Sequence, residues 1–116
     1  MQTIIQVLPK RTGSLREKII KDTRRLEDFG LVVTKEKTMD RIKGWSEVKS
    51  GKGPGVLKIE WHAPSQTLIC RAETKNDPPH IICGAFISFL LAHYSSQIAS
   101  MHTYTYPSLK RKKITK

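Results

Sequence analysis

Two short runs in the middle of the chain restrict its folding more than anything else in it. Over Val56–His62, the residues Leu57, Ile59 and Trp61 alternate with Lys58, Glu60 and His62. After Ala63-Pro64-Ser65-Gln66, the stretch Thr67–Thr74 alternates back, with Leu68, Cys70 and Ala72 against Ile69, Arg71 and Glu73. A period of two is the repeat of a strand with one face in a core and the other in water. Two such strands joined by a short polar turn form an antiparallel hairpin. The chain must therefore build a sheet and cover one side of it.

The flanking segments supply the remaining elements. Gln2–Leu8 is short, β-branched and stopped by Pro9, and reads as a strand. Thr12-Gly13 breaks the chain, and Ser14 with Glu17 forms a capping box that opens a helix. Leu15, Ile19, Leu26 and Phe29 fall on one side of that helix, and Gly30 is placed to end it. Its outer side mixes charges, with Glu17–Lys21 and Arg24–Asp28 spaced as i,i+4 pairs. Leu31–Lys37 reads as a strand and Ile42–Lys49 as a weaker one, followed by the loop Ser50-Gly51-Lys52-Gly53-Pro54-Gly55. Asp77-Pro78-Pro79 starts a second helix, expected from Pro78 to about Ser100. Met101–Tyr106 is a last strand, closed by Pro107.

With 116 residues and 38% apolar content, the chain has material for one core. The expected class is α+β: a mostly antiparallel sheet of four to five strands with two helices, in the order β-α-β(β)ββ-α-β. Ferredoxin-like and dsRBD-like sheets both fit that order. Residues 1–106 make the domain, and 107–116 a flexible basic tail, too polar to fold alone.

The second helix carries a specific expectation. Its apolar residues, from Ile81 to Ile98, cover nearly the whole circumference and leave only Gly84, Ser88 and Ser95 as a polar strip. Such a helix must be buried on nearly all sides. Either a second copy covers part of residues 78–100, giving a homodimer, or a strongly curved sheet does. The run Ile81–Ala92 is too short to span a bilayer, so no membrane association is expected. Lys10 and Arg11 follow the apolar N-terminal run instead of preceding it, the reverse of a secretory signal. Cys70 and Cys83 stand among apolar neighbours and read as buried, reduced thiols. These signs place the protein in the cytoplasm or nucleoid.

Charge is the main functional signal. The net charge is +11, and it is uneven. Residues 1–30 carry +3, residues 31–59 carry +4, residues 60–106 carry −1 and residues 107–116 carry +5. A polyanion is the matching partner, because each cation that meets a phosphate releases condensed counterions. The expected contact set is Lys10, Arg11, Lys35, Lys37, Arg41, Lys43, Lys49, Lys52 and, in the tail, Lys110, Arg111, Lys112 and Lys113. Tyr104 and Tyr106 share a strand face with His102 beside the tail, where their rings are placed to stack on bases.

Catalytic signals are sparse. The glycine loop lacks P-loop spacing and is followed by a strand, so it reads as a hairpin tip. His62, His80, His93 and His102 show no metal spacing. Glu73-Thr74-Lys75 closes a strand, and the surrounding order of helix, three strands, helix and strand resembles the restriction-endonuclease-type core. That resemblance implies a metal-dependent nuclease with Glu73 and Lys75 in its site. Its partner acid belongs near residues 54–56, where Pro54, Gly55 and Val56 stand, and Glu60 would serve only in a shifted register. The leading expectation is a small non-catalytic nucleic-acid-binding protein without a cofactor, DNA or RNA being equally served. A structural or adaptor subunit docking on an acidic protein is the second reading, and the nuclease is the third.

Overall fold

The computed structural model describes residues 2–37, 45–51, 53–75 and 79–106, the side chains of residues 35–37 and 106 excepted. The elements are β1 (Gln2–Pro9), α1 (Leu15–Lys21), α2 (Thr23–Asp28), β2 (Leu31–Lys37), β3 (Trp45–Ser50), β4 (Val56–His62), β5 (Thr67–Glu73), α3 (His80–His93), a 3₁₀ turn (Ser95–Gln97) and β6 (Ile98–Tyr106). The class is α+β, as expected, but among the described residues the sheet has six strands instead of four to five, and there are three α-helices instead of two.

The strands lie in the order β2-β3-β4-β5-β1-β6, and every neighbouring pair is antiparallel. β1 enters between β5 and β6, so the chain crosses the sheet once through α1 and α2 and once through α3. The hairpin β2–β3 extends the sheet beyond β4. The central hairpin β4–β5 forms as expected, in a register that sets Ile59 opposite Cys70 and Leu57 opposite Ala72.

One face of the sheet is the floor of the core. Ile5, Val7, Val48, Leu57, Ile59, Leu68, Cys70 and Ala72 are buried there. Leu15, Ile19 and Leu26 come down from α1 and α2, and Ile82, Phe86, Phe89 and Leu90 from α3. Phe89 is the hub, its ring 5.5–6.1 Å from those of Phe29, Phe86, His93 and Tyr94. Burial pushes the thiols of Cys70 and Cys83 up, away from the reactive thiolate, although Thr3 opposes this at Cys83.

The first helix is divided. Asp22 leaves helical geometry at φ −90° and ψ 52°, and its N–H turns back to the Ile19 carbonyl at 3.0 Å. The kink puts the Asp22 carboxylate 3.0 Å from the Tyr94 hydroxyl, which donates to it. A tertiary contact thus replaces helix continuity. The Ser14 half of the capping box forms, its hydroxyl accepting from the Glu17 N–H at 3.4 Å, and Gly30 adopts φ +75° after α2.

The second helix ends at His93, short of Ser100, because Ile98 must begin pairing with Pro9 in the neighbouring strand. Its burial is met largely from within the chain. The sheet and the shorter helices bury Ile82, Cys83, Phe86, Phe89 and Leu90, leaving Ile81, Gly84, Ser88, Leu91 and Ala92 exposed. The burial argument for a dimer through this helix loses its premise, although Leu91 remains 56% exposed. No helix among the described residues is long and apolar enough to cross a membrane.

The glycine loop is packed instead of projecting freely. A Cβ on Gly53 would stand 2.9 Å from Ile81 Cδ1. At Gly55, φ is +124° and a Cβ would stand 3.0 Å from Ile82 Cγ2. Here glycine lets the loop pass beneath the first turn of α3.

Candidate nucleic-acid interface

The helices occupy one face of the sheet, and no described element covers the other, the open face. Alternation assigns its residues. Because Ile5, Cys70 and Ile59 form one row on the core side, the adjoining row on the open side is Tyr104, Ile4, Arg71, Lys58 and Glu47. The next row holds His102, Gln6, Ile69, Glu60 and Trp45, and the row on the other side holds Gln2, Glu73, Val56 and Lys49. Lys49, Lys58, Arg71, His62, His102 and Tyr104 are exposed, while Ile4, Ile69 and Trp45 are half-buried.

Two features give this face its character. Lys58 and Arg71 stand directly opposite each other across β4–β5. Like charges in that position destabilise a sheet. No carboxylate stands at ion-pair distance from either among the described residues, although Glu47, Glu60 and Glu73 share their face. Among the described residues the ion pair that forms is Arg25–Asp22 at 3.7 Å, on the helical side. The expected pairs Glu17–Lys21 and Arg24–Asp28 do not close. Glu47, the acid opposite Lys58, instead accepts from the Thr34 hydroxyl at 2.9 Å. The second feature is aromatic. Tyr104 is 44% exposed, and its hydroxyl donates to Gln6 Oε1 at 3.2 Å, which draws the ring across β1. Trp45 lies in the neighbouring row at the far side of the sheet.

A second cationic region lies where β1 ends. Lys10, Arg11 and Lys18 line a depression of about 480 Å³ together with Gln97, and among the described residues no acid lines it. The Lys18 ammonium donates to Gln97 Oε1 at 3.3 Å, and the Lys10 N–H to the Gln97 carbonyl at 2.9 Å. Three cations without a counterion suit a phosphate group.

The structure thus divides the expected contact set. Lys49 and Tyr104 share the open face. Register sets Tyr106 opposite Gln2, Lys35 opposite Glu47 and Lys37 opposite Trp45. Lys10 and Arg11 lie in the separate depression. Arg41, Lys43, Lys52, Lys110, Arg111, Lys112 and Lys113 lie outside the described residues. Sequence reasoning missed Lys18, Lys58 and Arg71. The last two were visible as the polar side of the clearest hairpin, but their facing each other follows from register alone.

A depression of about 660 Å³ at the opposite end of the open face is lined by Glu47, Lys58, Glu73 and Lys75 with the loop Pro54–Val56. Glu73 faces Val56, and Glu60 faces Ile69, so the register brings no second acid beside Glu73. Glu47 is two strands and two residues away, roughly 12 Å between Cα positions by sheet geometry. Among the described residues no three of His, Cys, Asp and Glu gather as metal ligands. The site therefore lends the nuclease reading no support. Comparison with known protein families, with curated proteins and with solved structures finds no match.

Proposed function

We propose that this protein binds nucleic acid without catalysis, using the open face of a ferredoxin-like sheet extended by the hairpin β2–β3. The observation that carries the reading is the Lys58–Arg71 pair: two exposed cations held face to face, with no carboxylate at ion-pair distance among the described residues. Such an arrangement costs the fold something and is relieved by a phosphate lying between the two side chains. Exposed Tyr104 and half-buried Trp45 on the same face suit the stacking of unpaired bases, so single strands fit better than duplex. The Lys10–Arg11–Lys18 depression takes a further phosphate, and the basic residues after Pro107 add non-specific attraction. Cytoplasm or nucleoid is where such a ligand is met.

The test is fluorescence anisotropy with labelled single- and double-stranded oligonucleotides of mixed sequence, over a series of salt concentrations. Binding that weakens linearly in log–log form with salt, and that favours single strands, is expected. Absence of binding at low salt refutes the reading. Recovery of the protein with an acidic protein after nuclease treatment would favour the adaptor role.

A further inference from the structure

The sheet has two edges, and they are built differently. β2 forms one of them. It ends in Lys35-Glu36-Lys37, and its pairing with β3 shifts register between Val33 and Lys35. Charges and bulges are the devices that keep an edge strand from pairing with another chain. β6 forms the other edge, and β1 is its one sheet neighbour among the described residues. Its register shift is confined to its beginning, where Pro9 pairs with Ile98 and Leu8 with Ser100. From Ser100 to Tyr106 the pairing with β1 is regular. That segment has no Asp, Glu, Lys, Arg, Pro or Gly, in a chain that is 27% charged. His102, Thr103, Tyr104 and Thr105 are all exposed. An edge this long and regular, with none of the usual defences, is suited to receiving a strand.

We propose that β6 pairs with the β6 of a second copy of this chain, edge to edge and antiparallel, to give a two-fold dimer with one continuous sheet. The occupant follows from charge and symmetry. At a net charge of +11, most surfaces of two copies repel each other. The Ser100–Tyr106 edge is a place where they meet with no like charges opposed. An antiparallel edge pair is also self-complementary under a two-fold axis. With the axis at Thr103, that residue faces its own copy, and His102 faces Tyr104 of the second copy. Threonine pairs are among those that stabilise facing strands. A foreign strand would gain the backbone hydrogen bonds without this match of side chains. The inference shares Tyr104 with the nucleic-acid reading but does not rest on it, and the open faces of the two copies would run on into each other.

The test is sedimentation velocity of the full chain at micromolar concentration, free of nucleic acid. A species of twice 13.2 kDa is expected. Thr103→Lys changes an exposed side chain and sets two ammonium groups opposite each other. It should raise the dimer dissociation constant by about tenfold or more, with Thr103→Ser close to wild type. Thr103→Cys should form an intermolecular disulfide on mild oxidation, because facing residues in an antiparallel pair lie within disulfide reach. Thr12→Cys, exposed elsewhere, should not. A chain that stays monomeric overturns the proposal. So does a dimer that survives Thr103→Lys but dissociates with Leu91→Glu, which would assign the contact to α3.

Discussion

Replacing Lys58 and Arg71 together by glutamine should weaken binding while making the protein more stable. The two effects have one origin. In the folded chain these residues face each other across β4–β5 with no carboxylate at ion-pair distance. Opposed like charges cost a sheet ~0.2–1 kcal/mol, so neutralising them should return stability of that order. In the complex, each cation that meets a single-stranded phosphate contributes ~0.7 to the slope of log affinity against log salt. Losing both should flatten the slope by ~1.4. Scaled from 1 M salt, where the counterion effect vanishes, this corresponds to roughly 25-fold weaker binding at about 0.1 M. Anisotropy titrations across salt give the slope, and urea unfolding of the same variant gives the stability. The control is Lys21→Gln with Arg24→Gln, two exposed cations on the helical side. It removes the same net charge and should leave the slope nearly unchanged. If the control flattens the slope equally, net charge is responsible and the open face is not the site. If the Lys58/Arg71 variant is less stable than wild type, the idea that these residues are opposed at a cost is wrong.

Other consequences are structural. Arg16 is 4% exposed, bonded through Nη1 to the Ser46 hydroxyl at 3.0 Å, and its Nε has no partner. Arg16→Met should be neutral or stabilising by urea unfolding, whereas Ser46→Ala should cost about 1–3 kcal/mol by stripping a partner from a buried guanidinium. Phe89→Ala should cost about 3–5 kcal/mol, because the side chain is fully buried among four rings; a loss under about 1 kcal/mol would show that the core is packed otherwise. Tyr94 is pushed up to about 12 from 10.0, chiefly by burial and then by the bond to Asp22. Its neutral form is therefore favoured by folding, so stability should be full below pH 10 and fall as pH rises toward 12, a decline that Tyr94→Phe should flatten in pH-dependent unfolding. Gly55→Ala should lower stability by more than about 1 kcal/mol, since it adds both a strained φ and a contact with Ile82.

How far the sequence disclosed all this depended on whether local physics or distant contacts decided each point. The strands at 56–62 and 67–73 were legible almost to the residue because their alternation is itself the signature of a half-buried strand. The ends of the helices were not. Ser14–Phe29 reads as one helix locally, yet it breaks at Asp22, whose carboxylate accepts from the Tyr94 hydroxyl, 72 residues away in the chain. α3 likewise stops at His93 with no glycine to stop it, because β6 has to reach the edge of β1. The apolar circumference of α3 suggested a partner, but periodicity does not reveal how many sides a sheet and two short helices cover. The same limit governs the site. Composition gave the sign of the chain's own charge, and alternation put Lys58 and Arg71 on the wet side of their strands. That the two oppose each other depends on a register in which a slip of one residue would have exchanged core and surface. Burial of Leu57, Ile59, Cys70 and Ala72 fixes that register. The hydrophobic core therefore sets the spacing of the cations on the opposite face, and a ligand that bridges them reads a geometry chosen by packing.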